Sequence, residues 1–215
     1  MTDTTEPVII PRAAASLLVL QGHVERGAPP RVLMGMRGAR HRFMPNRLVF
    51  PGGAVDPADH DAAVASHLAP EVLRRLEKSA PASLARALGV AAARELLEET
   101  GLSLGEPPSL HGLDYLCRAV TPPPSPMRFD ARFLVVDAAH VAGEIAGSGE
   151  LEDLRWWEIE EALGTDLAGP QRIDDAHAIR PAVESRKRRR EKLGLVPLSH
   201  HVASVLRKMG MRRLS

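Results

Sequence analysis

Glu95, Glu98 and Glu99 fall within five consecutive positions, preceded by Arg94 and followed shortly by Gly101. On a helix, Glu95 has Glu98 at i+3 and Glu99 at i+4, so the three carboxylates share one face. Like charges at these spacings destabilise a helix by about 0.2–0.5 kcal/mol per pair. Carboxylates in the last turns also meet the negative end of the macrodipole. Arg94, four residues before Glu98, offsets only part of this. A divalent cation would reverse the sign of both terms, and clustered hard oxygen donors suit magnesium or manganese, with substrate phosphates filling the remaining positions. A solvated acidic helix end gives the same local pattern, and Glu-Glu before Gly taken alone reads that way.

The elements around this patch must hold it in place. Leu84, Leu88, Ala91, Ala92 and Leu96 recur at helical spacing from Leu84 to Thr100. Ser83 stands as the expected N-cap and Gly101 where a C′ glycine belongs. Upstream, Ala13 to Gln21 and Arg31 to Arg37 read as strands, and Arg47 to Phe50 as a short third strand stopped by Pro51-Gly52-Gly53. A polar stretch, Asp56 to Asp61, leads to a helix over Pro70 to Lys78. Downstream, Leu113 to Val120 and Met127 to Asp137 read as strands joined by Pro122-Pro123-Pro124. Leu154 to Ile159 is a further strand running into a short helix over Glu160 to Leu163. Strands alternating with one strong central helix argue for an α/β or α+β domain.

Bulk composition removes several classes of function. The 28 basic and 27 acidic side chains leave a net charge of +1, which gives no global attraction to nucleic acid or anionic membrane. Cys117 is the single cysteine, so an intrachain disulfide is impossible; a reducing, cytoplasmic setting is expected. The apolar run Ala13 to Leu20 is too short to span a bilayer and lacks the flanks of a signal peptide. Aromatic residues make up only 3%, so the core must rest on aliphatic side chains.

The string Arg94-Glu95-Leu96-Leu97-Glu98-Glu99-Thr100-Gly101-Leu102 resembles the second half of the Nudix box, Arg-Glu-hydrophobic-any-Glu-Glu-any-Gly-hydrophobic, with every fixed position matched. The first half of that box is Gly, five residues, then Glu; here Gly53 precedes Asp59, an acidic residue with the shorter side chain. The family spacing puts the arginine fourteen positions after the glycine, at His67. The matching residue is Arg94, so 27 residues are inserted, between the glycine turn and the helix, where added length costs little. The insertion leaves the partner role open between Asp59, Asp56 and Asp61. Pro51-Gly52-Gly53 is similar to the start of the box, where two glycines let the backbone turn tightly and present a carbonyl near a metal. Gly147-Ser148-Gly149-Glu150 before Arg155-Trp156 is similar to the loop that carries a further metal-binding or base-supplying Glu in the family, with Glu152 as the neighbouring candidate. Phe43-Met44-Pro45 and Val49 to Gly53, with the expanded box, resemble the branch containing peroxisomal coenzyme A diphosphatases.

The resemblance spans roughly positions 13 to 163. It implies an α/β/α sandwich with a mixed β-sheet: a Nudix domain over 1–163 with an insertion at about 60–86, and a C-terminal helical extension, 164–215, packed on the same domain. It implies Mg2+ or Mn2+ held by Gly53, Glu95, Glu98 and Glu99, and catalysis by Arg94, Glu95 and Glu150 without a covalent intermediate. The expected activity is hydrolysis of a pyrophosphate bond in a nucleoside-diphosphate-linked metabolite, with coenzyme A or acyl-coenzyme A in view. Action on a capped or triphosphate-ended RNA, and a non-catalytic ligand-binding module, are the alternatives. The expected partner is a small nucleotide-like molecule, with room for a homodimer and without membrane or nucleic acid. Arg186-Lys187-Arg188-Arg189-Arg190 reads as the solvated face of a C-terminal helix balanced by Glu184 and Glu191, and Ser199 to Met209 as an amphipathic segment. His200-His201 reads as a surface pair, Trp156-Trp157 as one core and one rim residue, and Cys117 as a buried apolar residue.

Overall fold

The computed structural model describes residues 9–21, 31–41, 43, 45–123, 125–158 and 161–162. Seven strands form one mixed sheet: β1 (Arg12–Gln21), β2 (Arg31–Arg37), β3 (Leu48–Val49), β4 (Gly52–Ala54), β5 (Asp114–Val120), β6 (Phe129–Asp137) and β7 (Leu151–Glu158). The path through the sheet runs β3-β2-β1-β6-β5, with β4 on β1 and β7 on β2. Only β1 and β6 are parallel, in register from Arg12↔Phe129 to Leu20↔Asp137. The apolar run of β1 follows from its central place, because both of its faces are covered. Ala15, Leu17 and Val19 enter one buried cluster, and Leu18 and Leu20 enter the other.

The sheet forks beside β1. Its end pairs with β2 through Leu20↔Val32 and Gln21↔Arg31, while its first half pairs with β4 through Ala14↔Ala54, Ala15↔Gly53 and Ser16↔Gly52. The segment from Leu48 to Ala54 fills the fork, leaving β2 at Val49 and joining β1 at Gly52. The glycine pair therefore does not simply stop a strand, as its sequence suggests. It forms β4, whose backbone hydrogen-bonding capacity is met by β1 rather than by solvent.

Two helices pack on one face: α1 (Pro70–Leu76) and α2 (Ala82–Thr100). Ala85, Ala91 and Ala92 of α2 are buried, and such small side chains let the helix lie close to β1 and β4. Leu17, Leu33, Leu88, Leu96 and Leu134 are fully buried there, each stabilising the fold by about 1.5–3 kcal/mol. The inserted residues are part of this core rather than a spare loop, since Leu68, Val72 and Leu76 are buried in it. Arg86 ties the insertion to α2 by donating to the carbonyls of His60 and Ala62.

Ser83 does not cap α2. Pro81, with φ −63° and ψ 156°, is the N-cap and makes no side-chain capping bond; its fixed φ and extended ψ turn the chain before Ser83 is reached. Gly101 ends the helix at φ +73°, its N–H donating to the Leu97 carbonyl at 2.9 Å, as a left-handed C-terminal glycine should. β7 starts at Leu151, three residues earlier than its apolar pattern suggests, because pairing with β2 reaches Arg37↔Leu151. Trp157 is buried and donates its indole N–H to Met34 O, whereas Trp156 is partly buried, and Cys117 is fully buried. Among the described residues, no helix is long and apolar enough to cross a membrane. Of the proposed helix after β7, Glu161 and Ala162 are helical. The expected extension 164–215, the basic run, His200-His201 and the amphipathic segment lie outside the described residues.

Candidate active site

The end of α2 lies over β4, where Gly53 leaves room for the helix's Glu95 and Gly52 lets β4 lie close against β1. A Cβ on Gly52 would come within 2.6 Å of Ser16 Cα, and φ at Gly52 is +154°. A Cβ on Gly53 would lie 2.6 Å from Glu95 Cδ, so this carboxylate occupies the space a side chain would fill. Gly52 N–H donates to Glu99 Oε2 at 2.8 Å. Helix and strand thus meet through carboxylate on one side and bare backbone on the other.

Arg94 organises the same corner. Its Nε donates to Asp59 Oδ1 at 3.0 Å and its Nη2 to Asp59 Oδ2 at 3.1 Å, a bidentate pair. Nη2 also donates to Ala54 O at 3.0 Å, and Nη1 reaches Glu95 Oε1 and Glu98 Oε2, each at 2.9 Å. Asp59 is 2% exposed in a short 3-10 turn, Pro57–His60, and accepts the Asp56 N–H at 2.8 Å. Of the three aspartates the sequence left open, Asp59 is the partner of Arg94. Asp56 lies 3.9 Å from Nη2 and is largely exposed. The hydrogen bonds to Asp59 hold the Arg94 guanidinium firmly charged, raising its pKa against the effect of burial.

The glutamates differ in environment. Glu98 is 56% exposed, Glu95 is mostly covered, and Glu99 is 3% exposed. Burial pushes the Glu99 carboxyl up to about 8; the Gly52 N–H opposes the shift, Glu95 and Glu150 add to it, and Arg37 opposes it. Burial also raises Glu95, against the pull of Arg94, with Glu98 and Glu150 adding to the rise. Burial, more than mutual repulsion, makes the charged forms of Glu95 and Glu99 costly here.

Glu150 comes from a different part of the chain. The segment before it is fastened to the end of α2: Ser103 and Ala142 exchange backbone hydrogen bonds at 2.8 and 2.9 Å, and Ala146 N–H donates to Thr100 O at 2.9 Å. The last of these bonds uses a carbonyl that the helix end leaves unsatisfied. Glu150 is exposed, close enough to raise both Glu95 and Glu99, and lies 3.6 Å from His41 Nε2. Glu152 instead lays its carboxylate over Gly38, 2.9 Å from where a Cβ would stand.

All the sequence-derived candidates, Gly53, Arg94, Glu95, Glu98, Glu99 and Glu150, thus surround one corner of the fold. As they stand, no group of three or more His, Cys, Asp or Glu among the described residues is gathered into a cation cage; Arg94 holds Glu95 and Glu98, and Glu99 is turned to Gly52. Sequence reasoning missed Arg37, whose guanidinium acts on Glu99 from the end of β2, and His41, whose ring stands 3.6 Å from Glu150. Their types and spacing carry no signal until the fork in the sheet brings them near α2.

Residues 86–180 match the family model of the NUDIX domain. A protein of Caenorhabditis elegans named "Putative nudix hydrolase 7" is 39% identical over 72 residues, 34% of this chain, and the match spans only 17% of that relative's length. The crystal structure of a NUDIX hydrolase from Alicyclobacillus acidocaldarius superposes with a TM-score of 0.54 at 26% identity, covering 80% of this chain and 88% of that one. Its likeness places the mixed sheet and helices in the NUDIX α/β/α sandwich fold. Family model and solved fold agree: residues 86–180 are similar to the NUDIX domain, and the fold is similar to that of a NUDIX hydrolase.

Proposed function

We propose that this chain is a divalent-metal-dependent pyrophosphohydrolase acting on a nucleoside-diphosphate-linked metabolite. The observation that carries the reading is the buried carboxylate of Glu99, stacked with Glu95 against the bare backbone of Gly52 and Gly53 and faced by Glu150. Burying a carboxylate with one backbone N–H as partner is costly unless a cation compensates it. The donor set is all oxygen, which fits Mg2+ or Mn2+ and does not fit a soft-metal site. Glu95, Glu98, Glu99 and the Gly53 backbone would hold the ion, in competition with Arg94 Nη1 for Glu95 and Glu98.

Such an ion would supply charge neutralisation at the diphosphate oxygens and make a bound water more acidic. The remaining tasks fall to the chain itself. Asp59 and Ala54 O fix Arg94, and Arg94 fixes the height of Glu95 over Gly53. Glu150, on a loop edged by glycines, takes the proton as a water oxygen bonds to phosphorus. The bond from phosphorus to the bridging oxygen breaks, and the two phosphate fragments leave. In substrate class, the expanded box and Phe43-Met44-Pro45 favour coenzyme A or an acyl-coenzyme A.

A turnover panel tests the reading: coenzyme A, acyl-coenzyme A, ADP-ribose, NADH, dinucleoside polyphosphates and capped RNA, with products identified. Cleavage of a small diphosphate ester into two phosphates supports it. Preference for RNA, or binding without cleavage, would replace it with an RNA 5′-end enzyme or a ligand-binding module.

A further inference from the structure

The end of β2 turns back on itself in a well-bonded way. Arg37 N–H donates to Arg47 O, Asn46 N–H to Arg37 O, and His41 N–H to Gly38 O, at 2.9, 2.9 and 3.0 Å. Arg37 and His41 are thereby placed side by side, with Arg37 Nη1 3.3 Å from His41 Nδ1. A guanidinium has donors and no acceptor, so Nδ1 must accept. A neutral His41 ring then carries its proton on Nε2. That nitrogen faces Glu150 Oε1 at 3.6 Å.

The other end of this contact needs holding. Gly149 has φ +89° and nothing within 4 Å of where a Cβ would stand, so the chain beside Glu150 lacks support of its own. Ser148 Oγ accepts the Glu150 N–H at a long 3.4 Å. The Glu150 carboxylate has the His41 Nε2 beside it, 3.6 Å from Oε1. Arg37 Nε is buried without a hydrogen-bond partner among the described residues, a cost in desolvation that accompanies the contact with His41.

We propose that His41, aimed by Arg37, is a positioning residue that clasps the Glu150 carboxylate over the carboxylate end of α2. The clasp links two segments that the sheet brings together, the β2–β3 turn and the loop before β7. It deepens the hydrolase reading and rests on Glu150 serving that reaction. Arg37 sets the ring's tautomer, and the ring sets where the loop carboxylate stands.

Nitrogen-15 spectra of the histidine rings in the full chain test the clasp without metal or substrate, with His41→Gln identifying the His41 signals. The clasp requires the Nε2–H tautomer in the wild type, a mixed tautomer in Arg37→Ala, and a shifted Nε2 signal in Glu150→Gln but not in Glu152→Gln. An Nδ1–H ring, or one unmoved by Glu150→Gln, overturns it. With a substrate from the panel, His41→Ala should lower kcat about tenfold with KM within about twofold. His41→Gln, which keeps an N–H donor, should restore most of that loss. In a Glu150→Gln background, His41→Ala should cost less than about a further twofold; two fully additive losses overturn the clasp. If the wild type cleaves nothing in the panel, the hydrolase reading falls, and the ring spectra still decide whether His41 holds Glu150.

Discussion

Asp59→Asn separates the role of the Arg94 corner in folding from its role in chemistry. Asn keeps the shape of Asp59 but removes the charge and sets an NH2 group against one of the two Arg94 donors. In the wild type those donors lie 3.0 and 3.1 Å from the carboxylate, and Asp59 is 2% exposed. A hydrogen bond to a charged group contributes about 1.5–3 kcal/mol, and breaking a fully buried pair costs about 3–5 kcal/mol. Arg94 is 24% exposed and keeps Glu95, Glu98 and Ala54 O as partners, so the lower range applies. A loss of about 2–3 kcal/mol lowers the melting temperature of a chain this long by roughly 5–10 °C. Thermal unfolding of the full chain reads this, with Asp56→Asn as the control. Asp56 lies 3.9 Å from Arg94 and is exposed, so its pairing contributes less than about 1 kcal/mol. Asp59→Glu should also destabilise, because an added methylene in a packed site costs about 1–3 kcal/mol. Equal melting temperatures for Asp59→Asn and Asp56→Asn would refute the assignment of Asp59 as the anchor.

Saturating Mg2+ or Mn2+ should stabilise the wild type, by about 2.7 kcal/mol at 100 times the dissociation constant, and Glu98→Gln with Glu99→Gln should shrink that gain in a calorimetric scan. Gly53→Ala should abolish turnover, because its Cβ would stand 2.6 Å from Glu95 Cδ; wild-type kcat in this variant would remove Glu95 from the site. Glu150→Gln should lower kcat at least about tenfold, a barrier change of about 1.4 kcal/mol, with KM little changed, while Glu152→Gln should behave as wild type. Asp130 offers a pH test away from the site. Burial works against its charge, yet Arg118 and Arg132 hold its pKa below the ordinary 3.8. Its stabilisation is therefore present above pH about 3.8 and lost as the pH falls through the lower folded value. In urea unfolding at pH 7 and pH 3, the wild type should lose more stability on acidification than Asp130→Asn; equal losses would show that the pairing does not differ between folded and unfolded states.

The end of α2 was legible because its information is local: a helix's period alone places Glu95, Glu98 and Glu99, and Gly101 marks the stop. Asp59 was not, because the insertion separates it from Arg94 by 35 positions and the choice among Asp56, Asp59 and Asp61 depends on which one a short turn buries. β4 was read as the end of a strand, since two glycines carry no apolar pattern and only the fork beside β1 gives them a partner. Ser83 has the right chemistry for a cap, but Pro81 had already set the chain's direction. Arg37 and His41 lie on a strand end and a turn, where neither residue type is unusual. Their meeting with Glu150 is a property of the assembled sheet.

Hydrolysis of a diphosphate at this corner should require a divalent cation. Phosphorus-31 spectra of coenzyme A and ADP-ribose incubated with the full chain test it most directly, with Mn2+ or Mg2+ added, then with excess chelator, then with metal restored. With metal, the diphosphate resonances of at least one substrate should give way to two new phosphomonoester resonances. Conversion should stop with chelator, resume on restoration, and be absent throughout in Glu99→Gln. Undiminished conversion in excess chelator, or a Glu99→Gln protein as active as the wild type, would contradict it.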